Sequence, residues 1–273
     1  NTLTINDGVK IAVGDDNKKD MDNYGISVNY GKNHNVTISS NASVTAIGKG
    51  SIGAIFDFGS NELGDRTEYR GSYIRGEYDE EQGEFTNIDF AETGALAGAL
   101  VENFNVNGTL SGEKAIYISP NALVKTINIA GNNSVVVSGD IISEWNPEGV
   151  EYFYTRRYEG ENPYKGLKPN LPNGVDGMTA LNFYNPGSGS NCRIFSDNII
   201  GPYGLIMNVK NGHLTTAHTG DKDFSYVNAY SVNVGDSSNS GINSTYTVQN
   251  ILMANDGYGD INVLEGGKLE LAQ

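Results

Sequence analysis

Three histidines, His34, His213 and His218, are the residues of this chain with the widest chemical range. Their spacing argues against a metal site. His213 and His218 lie five apart in the stretch HLTTAH, whereas a zinc-protease helix offers its ligands four apart, with a glutamate between. On a strand, a separation of five places two side chains on opposite faces. They read as solvated turn histidines, and no metal or other cofactor is expected. Carboxylates are the next candidates. Asp57, Asp140, Asp176 and Asp197 stand near strand-like runs, with Arg156, Arg157 and Arg193 as cations. Such groups are the material of glycosidase or lyase chemistry. The clustered Asp and Gly-His-Gly motifs of inverting hydrolases are missing, however, and the Gly-Asp-Asp at 14–16 has no histidine beside it. The loops at 220–223 and 255–260 offer oxygens around glycine, but neither has the spacing of a calcium loop, and turn formation explains both. Cys192, the one cysteine, has no activating neighbour except Arg193 and reads as a small buried hydrophobe. No disulfide can form within the chain.

Aromatic residues gather more densely than the titratable ones. Trp145, Tyr152, Phe153, Tyr154, Tyr158, Tyr164 and Tyr184 fall among Pro147, Pro163, Pro169, Pro172 and Pro186. Proline has no N–H to give a strand ladder, so 145–190 reads as an excursion from regular structure. Trp145, Tyr152, Tyr154, Tyr158, Tyr164 and Tyr184 are the candidate binding residues, because their rings suit stacking against sugars or partner proteins. The alternative is a self-packed loop with its rings turned inward. A second excursion covers 61–92. It is rich in Glu and Asp, reads as solvated surface, and includes an expected hairpin through YRGSYIRGEY.

The elements that must carry these residues are short. Aliphatic pairs recur at i, i+2: Ile26/Val28, Val36/Ile38, Val44/Ala46, Phe104/Val106, Ile116/Ile118, Ile127/Ile129, Val135/Val137, Val232/Val234, Ile261/Val263 and Leu269/Leu271. Residues two apart on a strand share a face. Strands this short bury that face only by stacking on neighbours, which is the logic of a solenoid. Three strands per turn give coils of roughly 20–30 residues. The expected fold is all-β, a right-handed parallel β-helix over 1–273 as a single domain, with loop excursions at about 61–92 and 145–190. A β-sandwich is the rival, since it also shows short strands with frequent turns.

Charge and composition narrow the partners. The net charge of −15 argues against nucleic acid and anionic lipid. No apolar run is long enough to cross a bilayer as a helix. The chain lacks a starting Met and reads as a segment of a longer, exported protein.

The stretch ENFNVNGTLSGEKAIYISPNALVKTINIAGNNSVVVSGDIISEW (102–145), the stretch IGAIFDFGSNELGDRTEYRGSY (52–73) and the terminal INVLEGGKLEL resemble the passenger region of bacterial type V autotransporters. The likeness is to the β-helical part that follows the catalytic domain in subtilisin-like members. It implies export through an outer-membrane barrel and display at the bacterial cell surface. It also implies that any protease lies elsewhere, because the Gly-Thr-Ser nucleophile turn of that family is missing here: the nearest phrase, GMTAL at 177–181, lacks the serine. The expected function is a non-enzymatic stalk or adhesive segment, acting as a monomer, whose partner is a protein or glycan on a host or neighbouring cell. A polysaccharide lyase or hydrolase and a β-sandwich binding module are the alternatives.

Overall fold

The aliphatic pairs stack on one another in register. Val36 and Ile38 stand beside Phe104 and Val106, which stand beside Ile127 and Ile129. Leu181/Phe183, Met207/Val209, Val232/Val234 and Ile261/Val263 continue the same two columns. In the computed structural model this stacking makes a parallel β-helix. Residues 1–15, 23–29, 31, 33–57, 71–72, 77–79, 81, 84–86, 99–120, 122–130, 136–147, 151–152, 177–184, 191–195, 198–217, 226–237, 243–252 and 259–271 are described. No α-helix occurs among them.

Each coil but the last contributes a strand to three faces among the described residues. The first face stacks Thr2–Ile5, His34–Ile38, Leu100–Val106, Leu123–Ala130, Thr179–Tyr184, the middle of Asn198–Ala217, the end of Tyr226–Val234 and Asp260–Val263. The second runs from Lys10–Gly14 and Ser43–Ile47 up to Ser244–Val248 and Gly267–Leu271. The third runs from Tyr24–Val28 and Ile52–Phe56 up to the start of Tyr226–Val234 and Asn250–Leu252. Inward side chains of the three faces meet in one core. Phe104, Ile127, Leu181 and Met207, successive members of one column, are all fully buried. The corner between the second and third faces is tight enough to require glycine. Gly139 has φ +118, and a Cβ there would stand 2.0 Å from the Gly112 carbonyl oxygen.

Between the two aliphatic columns of the first face runs a column of amides on the outer side. Asn262 donates to Asn233 at 2.9 Å, Asn233 to Asn208 at 2.8 Å, Asn208 to Asn182 at 2.9 Å, Asn182 to Asn128 at 3.1 Å and Asn128 to Asn105 at 2.9 Å. Asn105 then reaches Thr37 at 3.4 Å. Each amide uses its N–H on one neighbour and its carbonyl on the other, so the ladder ties coil to coil as the backbone does. Asn182 is the rung most withdrawn from water, at 5% exposure. Asn182→Ala is expected to lower stability by about 1–3 kcal/mol, because Asn128 and Asn208 each lose a partner. Urea denaturation checks this. Asn262→Ala at the exposed end is the control, with a smaller shift, and equal midpoints for the two would refute the ladder's role.

Two sequence expectations change. The second excursion ends sooner than 190, because Thr179–Tyr184 is a core rung, with Leu181 and Phe183 buried. The hairpin of the first excursion falls later than expected, pairing Glu77–Asp79 with Glu84–Thr86. Ala99, Leu100 and Val101, at the start of the rung Leu100–Val106, are buried. Ile52–Phe56 is buried at every position; its outward Ile55 is 3% exposed, so this strand is covered on both sides.

Candidate functional site at one corner of the helix

The amide ladder measures the length of each coil. Its successive rungs are 23, 26, 25 and 29 residues apart where the winding is regular. Two intervals are longer, at 68 between Thr37 and Asn105 and 54 between Asn128 and Asn182. Both contain insertions, and both insertions leave the same corner. Each starts where a third-face strand ends, at Phe56 or Ser143, and returns to the first face, at Leu100 or Thr179. With one coil between them, the two exits are about 10 Å apart along the axis, from a rung spacing of ~4.8 Å.

The insertions then meet. Gly71–Ser72 of the first pairs in parallel with Glu151–Tyr152 of the second, with Glu151 opposite Gly71 and Tyr152 opposite Ser72. The first also carries the antiparallel pair Glu77–Asp79 with Glu84–Thr86. Two separate stretches of chain are thus joined by one short parallel pair.

Each insertion is closed at its neck. In the first, the Ala99 N–H donates to the Asp57 carbonyl at 3.0 Å, while the Asp57 N–H is held by Val28 at 2.9 Å. In the second, the Trp145 indole N–H donates to the Gly177 carbonyl at 3.0 Å across 32 residues. A tied neck lets a long insertion leave the core undisturbed, since loop closure grows only slowly more costly with length. Trp145 is 0% exposed and sits on Gly204, where a Cβ would stand 2.4 Å from the Trp145 carbonyl oxygen.

The neck strands also carry polar groups on successive rungs. Ser119 follows Asp57 along the corner, its N–H bonded to the Phe56 carbonyl, and Glu144 follows Ser119, its N–H bonded to the Ile118 carbonyl. The Tyr117 hydroxyl donates to the Glu144 carboxylate at 2.9 Å, and the Lys114 ammonium stands 4.8 Å from the Tyr117 ring centre. Burial, then the Glu144 charge, raises the Tyr117 pKa far above its ordinary value. Tyr117 thus stays protonated, and it holds Glu144 as a hydrogen-bond donor.

Of the six candidate aromatics, Trp145 follows the inward-turned reading. It has no exposed face for stacking and acts as the clasp of the second neck. Tyr184 lies on the core strand rather than in the excursion; it is half-buried, with the Lys210 ammonium 5.4 Å from its ring centre and donating to its hydroxyl at 3.3 Å. Tyr152 is placed by its backbone at the junction of the two insertions. Tyr154, Tyr158 and Tyr164 lie outside the described residues.

The titratable candidates do not converge among the described residues. Asp57 is 5% exposed. Asp140 is a coil-to-coil clamp, accepting from the Asn198 backbone N–H at 2.9 Å and from its amide at 3.3 Å. His213 is exposed and 2.9 Å from the Thr247 hydroxyl, whereas His34 belongs to the first face, several coils away. No group of three His, Cys, Asp or Glu stands close enough to share a metal ion among the described residues. Cys192 and Arg193 are placed by register alone, Cys192 opposite the buried Leu214. His218, Asp176, Asp197, Arg156, Arg157 and the loop at 220–223 lie outside the described residues. So does all but the last two residues of the loop at 255–260. The chain matches no protein-family model, no curated protein and no solved structure.

Proposed function

We propose that the chain is a β-helical stalk segment of an autotransporter passenger, displayed on the bacterial surface, and that the joined insertions are its recognition element. The observation that carries this reading is the pairing of Gly71–Ser72 with Glu151–Tyr152 above two necks on one corner. A stalk needs a uniform, continuously hydrogen-bonded shaft, and the three-faced stack supplies one. Recognition needs a surface that departs from the repeat without weakening it, and closed necks allow that. The partner class is a protein or glycan on another cell. The acidic surface favours a partner that is neutral or basic.

The test compares three deletions, 58–98, 146–176 and both, each closed by a short Gly-Ser turn. Attachment of bacteria displaying the segment is measured on an epithelial monolayer and on a printed glycan array. Each single deletion is expected to abolish attachment, because each insertion depends on the other, while circular dichroism stays β-rich. Full attachment by the double deletion would refute the proposal and return interest to the shaft.

A further inference from the structure

The middle of the first face carries no outward charge along its interior coils. Two columns of side chains run there, the amide ladder and, beside it, Asn103, Thr126, Ala180, Ile206 and Ser231. Level with Asn105 through Asn233, neither column holds an Asp, Glu, Lys or Arg, although those residues make up 19% of the chain. Glu102 and Lys125, which adjoin Asn103 and Thr126 in sequence, neutralise each other at 2.9 Å. The ladder also has hydrogen-bonding capacity to spare. A side-chain amide has two N–H donors and a carbonyl with two lone pairs. Asn128, Asn182 and Asn208 each donate once and accept once along the ladder. One N–H and one lone pair of each are left over, and Asn128 and Asn208 are partly open to solvent. Tyr184 stands two residues beyond Asn182 on the same rung, hence on the same side, with its ring held by Lys210.

We propose that this uncharged stripe binds an extended, neutral glycan lying along the helix axis. A sugar hydroxyl both donates and accepts, so it matches an amide with one N–H and one lone pair to offer. The rungs repeat every ~4.8 Å, close to the length of one sugar residue in an extended chain, so successive residues meet successive amides. The amides of Asn105, Asn128, Asn182, Asn208 and Asn233 together span ~19 Å at that spacing, which is room for a short oligosaccharide. The ladder fixes each amide before binding, and that lowers the entropy lost when a ligand settles. Tyr184 supplies what amides lack, an apolar ring for the C–H face of a sugar. Charge chooses among polymers. A neutral chain brings no ion that must be desolvated, whereas a polyanion is repelled by a protein of net charge −15. An aliphatic partner would find only Ala180 and Ile206 in the two columns over these coils. The site is built without any residue of the two insertions, so it stands apart from their proposed role.

Calorimetric titration of the 273-residue protein tests this, with linear neutral oligosaccharides of glucose, mannose and N-acetylglucosamine from disaccharide to hexasaccharide. At least one series is expected to bind, with affinity rising several-fold as the chain lengthens. Oligogalacturonate of the same length is expected to bind far more weakly. Ala180→Glu puts a carboxylate beside Asn182 without removing any bond of the ladder, and is expected to weaken binding at least several-fold. Thr45→Glu, the same kind of change on the second face, leaves binding unaltered. Tyr184→Ala weakens it several-fold, while Tyr184→Phe, which keeps the ring, retains most of it. The proposal is overturned by absence of binding in every neutral series, by affinity independent of chain length, or by equal binding of oligogalacturonate. Undiminished binding by Ala180→Glu or Tyr184→Ala overturns it as well. Attachment in the insertion deletions is a separate measurement, so either site can fail without the other.

Discussion

Trp145→Ala is expected to lower stability by about 3–5 kcal/mol, as removal of a fully buried large aromatic does. Two contacts disappear together: the seat of the ring on Gly204 and the indole hydrogen bond to Gly177. Trp145→Phe separates them, since it keeps most of the volume and loses about 1 kcal/mol for the hydrogen bond. Trp145 is the only tryptophan of the chain, so its emission reports on the neck directly. The folded protein is expected to show blue-shifted emission resistant to aqueous quenchers, shifting red on denaturation. Thermal melts followed by circular dichroism give the stability of the variants. Solvent-like emission from the folded protein, with an unchanged melt for the alanine variant, would mean that the ring is a surface feature after all. The functional consequence follows from the geometry. An opened neck frees one end of the second insertion, so attachment is expected to fall in Trp145→Ala more than in Trp145→Phe.

Phe104→Ala is expected to act on the shaft with similar size, about 3–5 kcal/mol. Phe104 is fully buried, stands between Val36 and Ile127 in its column, and meets Phe56 edge-on at 5.1 Å between ring centres. Its position matters as much as its volume. The rung Leu100–Val106 is where the winding resumes after the first insertion, so it joins the first two coils to the rest. In a solenoid each coil is stabilised mainly by its nearest neighbours, and a cavity at this junction weakens the coupling across it. The urea melt is therefore expected to separate into two steps, the first coils unfolding earlier. A single transition at the parent midpoint would contradict this view of the core.

The scaffold was legible in the sequence because its period is written in every coil. Val36/Ile38, Phe104/Val106 and Ile127/Ile129 alternate as strands do, and stacking places like residues on like. The amide ladder went unread in the sequence, although its triplet repeats there as Phe104-Asn105-Val106, Ile127-Asn128-Ile129 and Val232-Asn233-Val234; an asparagine between two apolar residues reads equally well as a solvated outward position. Tyr117 was hidden because it occupies the outward position between Ile116 and Ile118, where almost any residue is allowed. Its role depends on Glu144, a coil later, at a spacing that no local pattern records. The aromatic cluster misled in one place. Density of rings says nothing about which way a ring faces, and Trp145 faces in while Tyr184 belongs to the strand after the excursion.

The sequence by itself determined the parallel helix, its core columns and the fact of two interruptions, because side-chain alternation and turn chemistry act within a few residues. Only the tertiary structure decided that both interruptions leave one corner, that Gly71–Ser72 meets Glu151–Tyr152, and that Tyr117 meets Glu144 a coil later. Those relations depend on how many coils separate two residues and on which face each lies. Both are set by the accumulated winding of the chain, and no short stretch of residues contains that sum.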